Sequence, residues 1–160
     1  MAASPRIPDR VDERTLNATL QVRLAGSPAD GTTLAPGAAP HLKVIWVDQG
    51  DEVLAHLDSL HSRIVGRTLL VSLDLETDQT GRTALVVPMA LGAAGDPAAL
   101  VAITDDLPRG NGLLASRWGR VVQDAVWAGL LGIARDHAAE RGLEPRGITV
   151  DAGSIRLVAR

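Results

Sequence analysis

The sequence predicts an α+β fold, a mainly antiparallel sheet with one long helix packed across a face, and three observations predict it. From Leu113 to about Arg141 apolar residues recur at helical spacing for about eight turns, far longer than any other periodic stretch. In TLLVSLDLETDQTGRTALVVPMALG and GITVDAGSIRLVA two apolar-rich stretches flank an Asp- and Gly-containing turn, with Leu69, Val71, Leu73 and Leu75 alternating with polar or outward positions along the first, the pattern of a β-hairpin. Hairpins join antiparallel neighbours, so the sheet is antiparallel. Finally, the chain has 160 residues, 46% of them hydrophobic, which suits one domain with a substantial core.

Residues 1–14 carry prolines and charges of both signs without periodicity and read as a flexible tail ahead of a single domain over 15–160. Leu16, Ala18, Leu20, Val22 and Leu24 then alternate with polar residues, the period of a half-buried strand. The Gly/Pro/Ala-rich stretch over 25–40 reads as a loop or linker. LKVIWV follows as a short buried strand. In EVLAHLDSLHSRIVG the residues Val53, Leu57, Leu60 and Ile64 fall at i, i+4, i+7 and i+11, which favours a second helix over about 52–65, capped by Asp51 and ended by Gly66. The alternative is that VDQGD and IVGRT turn two successive hairpins.

The hairpin at 68–91 is the clearest local signal: Leu69, Val71, Leu73 and Leu75 alternate, Asp78 to Gly81 turns, and Ala84 to Leu91 returns. A further apolar run, ALVAITD, precedes the long helix, which Gly142 and Pro145 end before the C-terminal hairpin. On this reading residues 42–91 and 99–159 each run strand, helix, strand, strand, a β-α-β-β duplication without residue-level identity between the halves.

Composition narrows the function. There is no Phe, no Tyr and no Cys, so three tryptophans are the only aromatics and thiolate or Cys-zinc chemistry is excluded. A formal charge of -3 and a pI near 5.7 argue against nucleic acid, which is held by basic surfaces and aromatic platforms. No apolar run approaches the ~18 residues of a membrane span, and MAASPRIPDRVDER has no apolar signal-peptide core. The expected setting is cytoplasmic. Lys43 is the lone lysine beside many arginines, which together with abundant Ala, Gly, Leu and Val is the coding bias of a GC-rich bacterium.

The nearest approach to a motif is PRGNGLLASRW, where Gly110, Gly112 and Ala115 match G-x-G-x-x-A ahead of a helix. Unpaired N–H groups at such a helix start can hold an anion, making Arg109, Gly110, Asn111 and Gly112 the candidate anion site. Residues DDLPR separate the glycines from the preceding apolar run and the helix is too long for a dinucleotide unit. The favoured reading is therefore that Asn111 caps the helix and the glycines turn the chain. Asp74, Glu76 and Asp78 share one strand face but lack a convergent histidine. His56 and His61 bracket Asp58, yet five residues apart they lie about 140° apart on a helix and on opposite faces of a strand. No metal, cofactor or catalytic residue is expected.

The long helix carries the remaining candidate. Leu114, Trp118, Val121, Val122, Ala125, Gly129 and Ile133 form a broad apolar face for the sheet. Ala125 with Gly129, and Ala128 with Gly132, are small residues four apart that admit a close backbone. The opposite face holds Arg117, Arg120, Asp124 and Arg135, interrupted by Trp127 and Leu131. Those two adjacent side chains are either interface anchors or are covered by the chain's own N-terminal segment. The expectation is a non-catalytic protein-binding or assembly component, self-associating or part of a larger complex, acting through Trp127, Leu131, Arg120, Asp124 and Arg135. The alternative is a small-molecule enzyme or anion binder with its pocket at the Gly110–Gly112 loop.

Overall fold

Asp12 closes a short strand and opens a helix in the same residue, and the N-terminal third is organised around it. In the computed structural model, which describes residues 6–25, 33–34, 43–91, 109–110 and 112–160, β1 covers Arg10–Asp12 and α1 covers Glu13–Ala25. The Asp12 carboxylate accepts the Thr15 N–H at 2.8 Å, capping the first turn. Leu16, Leu20 and Leu24 are buried at four-residue intervals, whereas Val22 is 64% exposed. The expected strand over 16–24 is thus a helix. Spacings of two and four coincide at these leucines, and the cap at Asp12 is what distinguishes the two. Residues read as a tail are engaged from Ile7 onward, and β1 pairs with the C-terminal strand.

The next strands are β2 (Thr33–Leu34), β3 (Lys43–Asp48), β4 (Asp51–Val65), β5 (Thr68–Thr77) and β6 (Gly81–Ala90). With β7 (Arg109–Gly110) they form a six-stranded antiparallel sheet in sequence order. Gln49 and Gly50 both take positive φ, 51° and 83°, as a tight two-residue hairpin with right-handed strand twist requires. The preferred helix over 52–65 is therefore overturned in favour of two hairpins, and with it the β-α-β-β duplication, since 43–90 contains strands only.

The reason lies in an irregularity within β4. His56 pairs with Asp74 and His61 with Ser72, so β4 advances five residues while β5 advances two. Val53 and Ala55 are buried ahead of the irregularity, His56, Leu57 and Leu60 at or within it and Ser62 after it, so the inward parity changes from odd to even positions. A parity change inside a strand imitates the i, i+4, i+7 spacing of a helix. Ser59 holds the distortion: its hydroxyl donates to the His56 carbonyl at 2.6 Å and accepts the Asp74 N–H at 2.8 Å.

Among the described residues, pairing of β3 with β4 reaches Lys43 opposite His56. Farther along β4, α1 supplies acceptors, Asn17 Oδ1 for the Ser62 N–H and Glu13 Oε1 for the Ile64 N–H at 2.8 Å. Those bonds cover part of an edge that would otherwise present unpaired groups.

Helix α2 spans Gly112–Ala139. Gly142, at φ 65°, ends its last turn, with Leu143 N–H on the Ala138 carbonyl and Gly142 N–H on that of Ala139, a Schellman cap. Strands β8 (Pro145–Asp151) and β9 (Ser154–Ala159) form the C-terminal hairpin, and β1 adds to β9 to give a small antiparallel sheet ordered β1-β9-β8. The helix contacts β6 and β7 of the large sheet, β8 and β9 of the small one, and α1. One core joins all of them, with Trp46, Leu73, Leu85, Leu130, Ile148 and Ile155 essentially without exposure. The α+β class and the long second-half helix expected from the sequence are both present.

Candidate functional site

The buried stripe of α2 fixes which side chains are left outside. Leu114, Trp118, Val122, Ala125, Val126, Leu130 and Ile133 are all buried, and Gly129 and Gly132 lie beneath α1. A Cβ placed on Gly129 would stand 3.1 Å from Leu20 Cδ2, and one on Gly132 2.6 Å from Arg23 Nη1. The small residues therefore serve the α1–α2 crossing, where Arg23 and Asp136 also form an ion pair. The N-terminal segment covers this flank of α2. Trp127 remains half-buried with part of its ring on the core, Leu131 is half-buried beside it, and Arg120, Asp124 and Arg135 are exposed. The five residues named from the sequence thus share one side of the helix, an apolar pair with a charged surround.

Arg117, which the sequence places with the solvent face, has a different task. Its Nε donates to Asp51 and its Nη1 to Asp48, both at 2.8 Å, and Nη2 reaches the Asp48 carbonyl. These bonds, Asp48 foremost, raise its pKa above the ordinary arginine value, so the guanidinium stays charged. It also lies 4.6 Å from the Trp118 ring centroid. The β3–β4 turn is thereby clamped to the start of α2. No local pattern in the sequence joins residues so far apart.

An open cleft of about 450 Å³ adjoins that clamp, lined by Asp51, Glu52, Thr77, Asp78, Gln79, Thr80, Leu114, Ser116, Arg117 and Trp118. It lies where the tips of two hairpins meet the first turns of α2. Its three carboxylates outnumber its one guanidinium, which is already committed to Asp48 and Asp51. An anion has little to gain there. Of the candidate anion loop, Arg109 and Gly110 form β7 against Val86 and Leu85, and Gly112 opens α2. Asn111, read as the helix cap, lies outside the described residues, as does the run ALVAITD.

The carboxylates of β5 are separated by their partners. Asp74 Oδ2 accepts from Arg82 Nε at 2.9 Å, Glu76 lies 3.2 Å from His56 Nε2, and Asp78 is at the hairpin tip. His56 is buried, its Nδ1 without a hydrogen-bond partner among the described residues, while His61 is exposed and near Asn17. Among the described residues no three His, Asp or Glu side chains converge on a point where a cation would fit.

Sequence reasoning missed a second polar cluster, at the far end of α2. His137, 2% exposed, has Nε2 2.8 Å from Asp9 Oδ1; Arg141 Nη2 lies 3.4 Å from the same oxygen and donates to the Ile7 carbonyl at 2.8 Å. The Ile7 N–H donates to Glu140 at 2.8 Å. The i, i+3, i+4 spacing of His137, Glu140 and Arg141 placed them on one helix side, but nothing local named Asp9 as their partner. The hydrogen bond from His137, with charge from Arg141 and Arg156, holds the Asp9 carboxyl below its ordinary pKa. Among the described residues no helix is long and apolar enough to cross a membrane. No protein-family model, curated protein or solved structure matches the chain.

Proposed function

We propose that this chain is a protein-binding or assembly component of a bacterial cytoplasm that acts through the Trp127–Leu131 side of α2. The observation that carries the reading is the half-buried state of Trp127 and Leu131 after α2 has engaged both sheets and α1, with exposed Arg120, Asp124 and Arg135 around them. A tryptophan partly seated on its own core is held in one orientation, and a rigid aromatic anchor inside a charged rim is what a partner surface recognises at small entropic cost.

The test compares two double variants with the unmodified chain by sedimentation and by affinity capture from the source bacterium. Trp127→Lys with Leu131→Glu removes the anchors, and Arg120→Glu with Asp124→Lys reverses the exposed rim without touching the core. Self-association or retention of a defined partner should fall about tenfold or more in both, with circular dichroism unchanged in the rim variant. Undiminished association of the rim variant, or no specific association of the unmodified chain, rejects the reading.

A small-molecule pocket at the start of α2 is the second reading, and the cleft beside Arg117 favours it. Its carboxylates and hydroxyls suit a neutral or cationic ligand rather than the anion expected from the glycine loop. A saturable thermal shift with a cationic amine, absent in Asp78→Asn, would support it over the assembly reading.

A further inference from the structure

The first described residues are attached to the body as an extended strap. Residues 10–12 pair with β9 as Arg10 with Arg156, Val11 with Ile155 and Asp12 with Ser154, and the Leu157 N–H donates to the Asp9 carbonyl at 2.7 Å. Val11 is the side chain the strap buries fully, and Ile7 packs on the core in part. Further polar attachments come from the end of α2 and the two residues after it: Glu140 accepts the Ile7 N–H, Arg141 donates to the Ile7 carbonyl, and His137 and Arg141 meet the Asp9 carboxylate.

Asp12 caps α1 through its own side chain, so residues up to Val11 can leave β9 without unwinding the helix. The uncovered surface would hold the N–H and C=O groups of β9, the otherwise buried His137 imidazole and the Arg141 guanidinium. Beside them is a cavity of about 280 Å³ whose lining includes Arg156 and Leu157. A sheet edge next to two basic side chains specifies an occupant closely: an extended backbone, a carboxylate facing His137 and Arg141, and an apolar side chain two residues later. In the strap these are residues 9–11.

We propose that this groove is a docking site for an acidic extended peptide segment of a partner protein, held closed by the chain's own residues 7–11. Binding is by strand addition to β9, and specificity comes from the carboxylate on His137 and Arg141. None of the residues of the Trp127 side takes part, so the two surfaces fail or succeed independently.

Hydrogen exchange on the full chain tests the strap, and a synthetic peptide of residues 6–12 tests the groove. In the Asp9→Asn chain, amides of residues 9–11 and of Ile155 and Leu157 should exchange about tenfold or more faster than in the unmodified chain, with those of α1 and β5 unchanged. That chain should bind the peptide saturably, the unmodified chain should bind it about tenfold or more weakly, and the peptide carrying Asp9→Asn should lose most of its affinity. Equal binding of the two peptides, or none of either, overturns the proposal. Should Asp9→Asn fail to fold, native-state exchange of the unmodified chain decides: strap amides must open before those of β5, and a single common opening overturns it.

Discussion

At the scale of the residue, charge does its work here mainly as attachment. Arg117 ties a hairpin turn to α2, Asp12 caps α1, and Asp9 ties the N-terminal segment to the far end of α2. Asp9 and Asp12 both have pKa values held below the ordinary aspartate value, Asp9 chiefly by His137 and Asp12 chiefly by the Thr15 N–H. A carboxyl whose folded pKa lies below its unfolded one stabilises the fold fully above the unfolded value, and that contribution disappears as pH falls through the folded value. Melting midpoints measured between about pH 6 and pH 2 should therefore fall on acidification, and the gap between the unmodified chain and Asp9→Asn should narrow toward the acid end. A constant gap across that range would show that the Asp9 contact contributes nothing through its charge.

At the scale of the element, the α1–α2 crossing separates two glycines that look equivalent in the sequence. At Gly129 a side chain meets the Leu20 and Leu24 methyls inside the core, whereas at Gly132 it meets the end of the Arg23 side chain. Gly129→Val should cost about 1–3 kcal/mol through overpacking, more than any gain from replacing a mid-helix glycine. Gly132→Ala gains up to about 1 kcal/mol of helix propensity and displaces only a flexible guanidinium with its surface ion pair, so its stability should stay within about 1 kcal/mol of the parent. Chemical denaturation of both variants measures the contrast, and equal losses would contradict this account of the crossing.

At the scale of the whole molecule, α2 packs against both sheets and joins them in one core. The small sheet has β1, β8 and β9, and its Ile148, Ile155 and Leu157 share a continuous core with Leu73 and Leu85 of the large sheet. Heat should therefore unfold both sheets in one transition, with calorimetric and van't Hoff enthalpies in agreement. Leu130→Ala, a change inside α2 at 0% exposure, should cost about 2–5 kcal/mol and lower that transition without splitting it. Two resolved transitions would mean that the sheets fold as separate units.

Local chemistry was sufficient for the long helix, its Gly142 end, the hairpin around Asp78–Gly81 and the C-terminal hairpin, because each rests on neighbours within one turn or one strand pair. Periodicity did not separate helix from strand at residues 16–24 and 51–65. Apolar residues two and four apart satisfy both patterns, and the irregularity between His56 and His61 changes parity in a way that imitates a helix. The helix side carrying Trp127, Leu131, Arg120, Asp124 and Arg135 was legible in advance because 3.6-residue geometry alone assigns it. Which flank α1 would cover, where Arg117 would reach, and that Asp9 would meet His137 depended on packing between residues more than 60 positions apart. Such contacts are selected by burial of a shared core, a property of the assembled chain that no short window of sequence contains.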